Sequence, residues 1–220
     1  LSYDKNIYFY GGKMAPVAKD VDEYIAIQRG AIAQNPECGN SHYNLAVALI
    51  GLKKLDEAEE ELHTAVDCSP TLAEAYVQLG GICMQRGDME GALYYNKMAV
   101  KSRAGFAPGY ANIGFLLLQE GDVDEAIKNL QKAIVYNSKF VQAFTTLGNA
   151  YLMKGLVDES IEANKKAIEI QPDFPVPYYN LGLGYLEKGN MEKAVENIEK
   201  AKSMGYEVPA EITEEIKGKK

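Results

Sequence analysis

The sequence has no tryptophan, two histidines, three cysteines and no surplus of basic residues: 23 Lys and Arg stand against 31 Asp and Glu, a net charge of −8 over 220 residues. Each shortage excludes something. Binding to phosphate backbones rests on Lys and Arg neutralising charge, and the longest basic run here is the terminal Lys217–Lys220 tail, so nucleic acid is not an expected partner. No stretch approaches the ~20 consecutive apolar residues of a membrane helix, and the start lacks the basic-then-apolar layout of a signal peptide. No direct membrane insertion is expected. Three cysteines at irregular spacing make no disulfide framework, which favours a reducing, cytoplasmic compartment; a chain that starts at Leu1 rather than Met leaves a periplasmic or exported one open. The strings that carry catalysis are missing too: there is no Gly-rich phosphate loop, Gly-x-Ser-x-Gly, Cys-x-x-Cys-His or His-Glu-x-x-His. Neither catalytic residues nor a cofactor are expected.

What the chain does have is a repeat. Segments beginning at Gly39, Ala73, Ala107, Val141 and Pro175 align without a gap, each 34 residues after the last. Position 4 reads His42, Tyr76, Tyr110, Phe144, Tyr178, and position 7 reads Leu45, Leu79, Ile113, Leu147, Leu181. Position 8 is small throughout (Ala46, Gly80, Gly114, Gly148, Gly182), as is position 20 (Ala58, Ala92, Ala126, Ser160, Ala194), and position 27 is always Ala. Each copy carries two apolar stripes at helical spacing, interrupted by Gly87, Gly121, Gly155 and Gly189. Those glycines suit the left-handed position that ends a helix, and Asp88, Asp122 and Asn190 suit the N-cap of the next. The unit is helix, tight turn, helix. One such unit cannot bury its apolar face, so the copies must stack.

The pattern resembles the tetratricopeptide repeat (TPR) family, which the spacing, the small residues at positions 8, 20 and 27, and Pro70 and Pro172 at position 32 all match. Ser160, Lys53 in place of the mid-repeat glycine, and Ala104, Ser138 and Tyr206 in place of proline depart from it. The resemblance implies an all-α, right-handed superhelical solenoid of antiparallel helix pairs. Its organisation is expected as an irregular, aromatic-rich lead-in or degenerate first helix over 1–19 and a partial repeat (a second helix) over 20–38. Five repeats over 39–72, 73–106, 107–140, 141–174 and 175–208 follow, with a C-terminal cap helix and basic tail over 209–220. The lead-in holds Tyr3, Ile7, Tyr8, Phe9 and Tyr10, an aromatic cluster expected to pack on the first repeat or to occupy the groove.

In proteins of this family the first helix of each pair lines a concave face, chiefly through positions 2, 5, 6, 9, 12 and 13. Carried onto this sequence, that places Tyr43, Asn44, Val47, Gln78, Asn112, Phe115, Leu118, Asn149, Leu152, Tyr179, Asn180 and Leu183 in a largely apolar trough with amides along it. The resemblance implies a non-catalytic interaction scaffold or adaptor that captures an extended or helical apolar segment of another protein or peptide. A row of amides at position 6 could grip the ligand's backbone; the alternative reading is that these amides bond to neighbouring helices, since a half-buried amide needs partners either way. No basic residue stands at positions 2, 5 and 6, which disfavours the clamp-type recognition of chaperone tails. The alternative function is a structural accessory subunit held in a larger complex through its convex face or its ends, with self-association left open. Tyr94 and Tyr95 are candidates for a convex contact, partial burial beside Asn96 being the other reading.

The repeat also supplies a control for chemistry-bearing residues. Cys38 and Cys83 fall at positions that are Leu, Phe or Tyr in other copies, and His42 falls in the aromatic position 4, so all three read as core substitutions rather than as a zinc site.

Overall fold

The computed structural model describes residues 21–218; the expectations for residues 1–19, including the aromatic cluster, and for the end of the basic tail lie outside them. The regular structure of the described residues is helical throughout. Twelve helices follow in order: α1 (Val21–Gln34), α2 (Gly39–Gly51), α3 (Leu55–Cys68), α4 (Ala73–Gln85), α5 (Met89–Ser102), α6 (Ala107–Glu120), α7 (Val123–Tyr136), α8 (Val141–Met153), α9 (Val157–Ile170), α10 (Pro175–Glu187), α11 (Met191–Ser203) and α12 (Ala210–Gly218). The described chain divides into two compact units, residues 21–112 and residues 113–218, the boundary falling inside α6.

The turn between the helices of a pair shows how the sequence writes the repeat. Gly121 takes φ +86°, a value glycine adopts without steric cost. The amide of Asp122 then reaches back to the carbonyl of Leu117 at 2.9 Å, which satisfies the end of α6. The carboxylate of Asp122 in turn accepts from the amide of Glu125, capping α7. Gly87 with Asp88 and Gly189 with Asn190 build the same device. In the 39–72 copy Lys53 takes φ 60° where the others use glycine, and Lys54 at the N-cap gives the helix no side-chain capping bond.

Between the turns, α7 shows why these segments are helical and which face they bury. Ala126, Ile127, Leu130 and Ala133 recur at helical spacing and are buried, with Asp124 and Glu125 placed against the helix dipole in the first turn. Leu130 is fully buried, which is worth roughly 1.5–3 kcal/mol. Small residues at position 8 let the paired helices approach: a Cβ on Gly114 would stand 2.6 Å from Cγ of Leu130 and 3.0 Å from the backbone oxygen of Ala126.

Within residues 21–112, α2 packs on α3 and α4 on α5, with α1 against α2 and α3 against α4. Their core joins Leu45, Leu49, Leu62, Leu79 and Ile82 to Tyr76 and Val77. Within residues 113–218, α8 packs on α9 and α10 on α11; α7 meets α8, α9 and α8 both meet α10, and α12 covers α11. Leu118, Ile127, Leu130, Leu147 and Ala150 form a core there.

Candidate functional surface of the first helices

The candidate surface lies on the first helix of each pair, and burial sorts its residues. In the 21–112 unit, Tyr43, Asn44, Val47 and Asn112 are half-buried, whereas Gln78 is 2% exposed. Gln78 is hydrogen-bonded to the phenol of Tyr43, and burial, followed by the charge of Glu74, pushes that phenol above its ordinary range. In the 113–218 unit, Phe115, Leu152, Tyr179 and Leu183 are half-buried and Asn149 is exposed. Leu118 and Asn180 are buried, at 3% and 7%. The expectation that Gln78, Leu118 and Asn180 face a ligand is therefore corrected: Gln78 is covered beside Tyr43, Leu118 belongs to the core with Leu130, and Asn180 is enclosed by α8 and α9.

Asn180 shows what position 6 does inside the stack. Its amide donates to Oδ1 of Asn164 at 3.3 Å and to the carbonyl of Thr145 at 3.4 Å, while Nδ2 of Asn164 donates to the carbonyl of Ser160 at 2.9 Å. Asn112 does the same in the other unit, donating to Oδ1 of Asn96 at 2.9 Å, with Asn96 donating to the carbonyl of Ala92 at 2.8 Å. Asn96 and Asn164 are fully buried. Asn112 and Asn180 each donate to an asparagine of the preceding second helix, and Asn180 also to Thr145 of α8, in agreement with the reading that these amides bond to neighbouring helices. Sequence reasoning missed the partner at position 24, although the signal was present: Leu62, Leu130 and Ile198 stand there in the other copies, so Asn96 and Asn164 each break an apolar column sixteen residues before an asparagine.

Tyr179 is also engaged. Its ring stacks on Tyr206 at 4.6 Å and 29°, and burial raises its phenol. Tyr206, one of the departures from proline at position 32, therefore covers part of the last first helix.

The remaining chemistry-bearing groups are accounted for by packing. His42 is buried, with Nδ1 2.6 Å from Oε2 of Glu61 and Nε2 2.9 Å from the carbonyl of Pro36. Cys83 is buried, and burial raises its thiol. Cys38 is half-buried at the N-cap of α2 and accepts from the hydroxyl of Ser41 at 3.2 Å, which lowers its thiol. Among the described residues no three His, Cys, Asp or Glu side chains converge on a point that would hold a metal ion, and no helix is long and apolar enough to cross a membrane.

Paired helices joined by a tight glycine turn and repeated at one fixed spacing define a class, the helical-hairpin repeat proteins. Sequence profiles narrow it. A profile described as TPR repeat matches residues 114–155, and two described as tetratricopeptide repeat match residues 26–73 and residues 141–174 and 177–204. The chain belongs to the tetratricopeptide repeat family, whose members mediate protein–protein interactions and are generally non-catalytic. No curated protein matches the sequence. Among solved structures, MamA is 28% identical over 80% of this chain and 98% of its own, with a TM-score of 0.62. YrrB, described as a TPR protein with an unusual peptide-binding site, is 22% identical over 87% of this chain and 97% of its own, with a TM-score of 0.66. The pilF protein of Pseudomonas aeruginosa is 16% identical over 79% of each chain, with a TM-score of 0.71.

Proposed function

We propose that the chain is a non-catalytic scaffold that captures an apolar, extended or helical segment of a partner polypeptide on the first helices of its repeats. The observation that carries this reading is the partial exposure of Phe115, Leu152 and Leu183 on α6, α8 and α10, with the exposed amide of Asn149 on α8 among them. These helices already bury their other faces against second helices, so apolar side chains left half-covered are free to gain burial from a ligand, at roughly 25 cal/mol for each Å² removed from water. Tyr43, Asn44 and Val47 offer a comparable half-buried set on α2 of the other unit. With Asn180 enclosed and Asn112 bonded to Asn96, side-chain anchoring rather than a continuous amide ladder carries the affinity.

The test is a displayed peptide library selected against the full chain. Selected peptides should carry apolar anchors and lose about tenfold or more in affinity to Leu152→Ser with Leu183→Ser, the far-UV circular dichroism staying unchanged. Peptides that bind the double variant as tightly as the wild type sink the reading.

A second reading, an accessory subunit held through its second helices, is favoured by one observation. Among the described residues, well-exposed large apolar side chains sit mostly on second helices, as Met89, Tyr94, Val135 and Tyr136 do, with Val135 80% exposed, against Met153 on the first helix α8. It predicts that Val135→Glu releases the chain from its native complex while the first-helix variants leave that complex intact.

A further inference from the structure

A cavity of about 510 Å³ opens in the 21–112 unit, walled by Glu59 of α3, Arg86 just past α4, Asp88 at the N-cap of α5, and Glu90, Tyr94 and Tyr95 of α5. Its charge does not balance. Arg86 is already committed, with Nη1 2.7 Å from Oε2 of Glu59 and Nη2 2.6 Å from Oδ1 of Asp56. Asp88 caps α5, and Glu90 makes no ion pair among the described residues. The excess negative charge is felt locally: after burial, the carboxylates of Asp88 and Glu59 are the next causes that raise the Cys83 thiol, and after burial and the charge of Cys83, Glu59 raises the Tyr95 phenol.

The repeat shows what Glu90 lacks. Arg86, Lys154 and Lys188 each reach the acid thirty residues earlier, Asp56, Asp124 and Asp158, at 2.6, 2.5 and 2.5 Å. Glu90 holds the same position in its own copy, but the residue thirty places on is Glu120. Beside the unpaired acid stands an aromatic wall. Tyr94, one turn after Glu90 and 58% exposed, meets Tyr95 edge-on at 5.2 Å, and Tyr95 meets His63 edge-on at 6.1 Å.

We propose that this cavity is a binding site for an arginine side chain of a partner polypeptide, its guanidinium paired with Glu90 and stacked on Tyr94. A carboxylate beside an open aromatic face complements a cation, and the planar guanidinium serves both at once, whereas an ammonium is a point charge that holds its water more tightly. The same unit already contains that chemistry within its own fold: the guanidinium of Arg103 lies 4.1 Å from the ring centre of Phe106 while its Nη2 pairs with Glu74 at 2.5 Å. The two residues that would hold the arginine, Glu90 and Tyr94, lie on the second helix α5, so the failure of this site and that of the first-helix reading are separable.

The probe is the capped pentapeptide Ala-Ala-Arg-Ala-Ala, titrated into the isotopically labelled full chain and followed by amide shifts, beside the same peptide carrying lysine or citrulline. The arginine peptide is expected to bind with a dissociation constant on the order of 10 mM, shifting amides around Glu90 to Tyr95. Glu90→Gln should weaken it roughly fivefold and Tyr94→Leu about threefold, both side chains being exposed and replaceable without unfolding. The lysine peptide should bind more weakly and the citrulline peptide not measurably. An absence of binding, shifts centred away from α5, an unaltered Glu90→Gln variant, or lysine or citrulline peptides as tight as arginine would each overturn the proposal.

Discussion

Successive helix pairs in this chain are joined in two ways. At the α5–α6 and α9–α10 junctions a fully buried asparagine, Asn96 or Asn164, bonds to an asparagine of the next first helix. The second helices α3 and α7 instead carry Leu62 and Leu130 at that position, and the residues sixteen places on are Gln78 and Thr146. Position 8 is glycine against both kinds of side chain: a Cβ would stand 2.2 Å from Nδ2 of Asn164 at Gly148 and 2.6 Å from Cγ of Leu130 at Gly114. One backbone arrangement thus accepts either an amide or an isobutyl group. The amides of Asn112 and Asn180 are a packing response to position 24 before they are anything for a ligand.

Moving an amide into a leucine junction without its partner should break the contrast most severely. Leu130→Asn loses a fully buried aliphatic group and buries a polar one opposite a position that holds no asparagine, so a loss of about 3–5 kcal/mol is expected. Urea unfolding followed by far-UV circular dichroism reads it. The reverse exchange should cost less. Asn164→Leu alone strips an acceptor from the amide of Asn180, at about 1–3 kcal/mol, and adding Asn180→Thr should recover at least half by rebuilding the Leu130 and Thr146 arrangement. If the double variant is as unstable as the single one, the two junctions are not interchangeable and the backbone around Gly148 differs in a way that matters.

The fold was legible because each of its rules is local and repeated. Glycine at the turn, a capping Asp or Asn after it, and small residues at positions 8, 20 and 27 each report a close approach or a left-handed residue, and five copies average out the exceptions. The surface was less legible for a physical reason. Whether Asn180 faces a ligand or a neighbour depends on Asn164, a residue of another helix, and whether Tyr179 is open depends on Tyr206 in a segment past the last pair. Periodicity identifies the helix face a residue lies on. It does not identify what the next element lays over that face.

Changes away from the junctions set the floor against which those losses are read. Lys53 holds φ 60° at a turn where the other four copies place glycine at +69° to +86°. A non-glycine residue pays a steric cost there of roughly 1–2 kcal/mol, partly offset by the larger conformational freedom glycine loses on folding. Lys53→Gly should therefore stabilise by about 0.5–1 kcal/mol, read as a rise in the urea midpoint. A fall would mean that the Lys53 side chain contributes more than its backbone costs.

The smallest effect belongs to the ion pairs that link one copy to the next. Lys154 pairs with Asp124 at 2.5 Å, and the hydrogen bond from the lysine, followed by its charge, holds the Asp124 carboxyl below the usual carboxylate range. A carboxyl whose folded value is depressed adds stability above its unfolded value and loses it as the pH falls through the folded one. Both side chains are exposed, so solvent and salt screen the pair and the contribution is slight. Lys154→Gln should lower the urea midpoint detectably at neutral pH and low salt, and the difference should shrink as the pH falls through the depressed value of the Asp124 carboxyl, or in about 1 M salt. The same pairing recurs at Arg86 and Lys188, which reach back across the leucine-type junction of Leu62 and the asparagine-type junction of Asn164 in turn. If Lys154→Gln cost as much as Asn164→Leu, surface charge rather than the buried side chain at position 24 would set the strength with which neighbouring copies hold together.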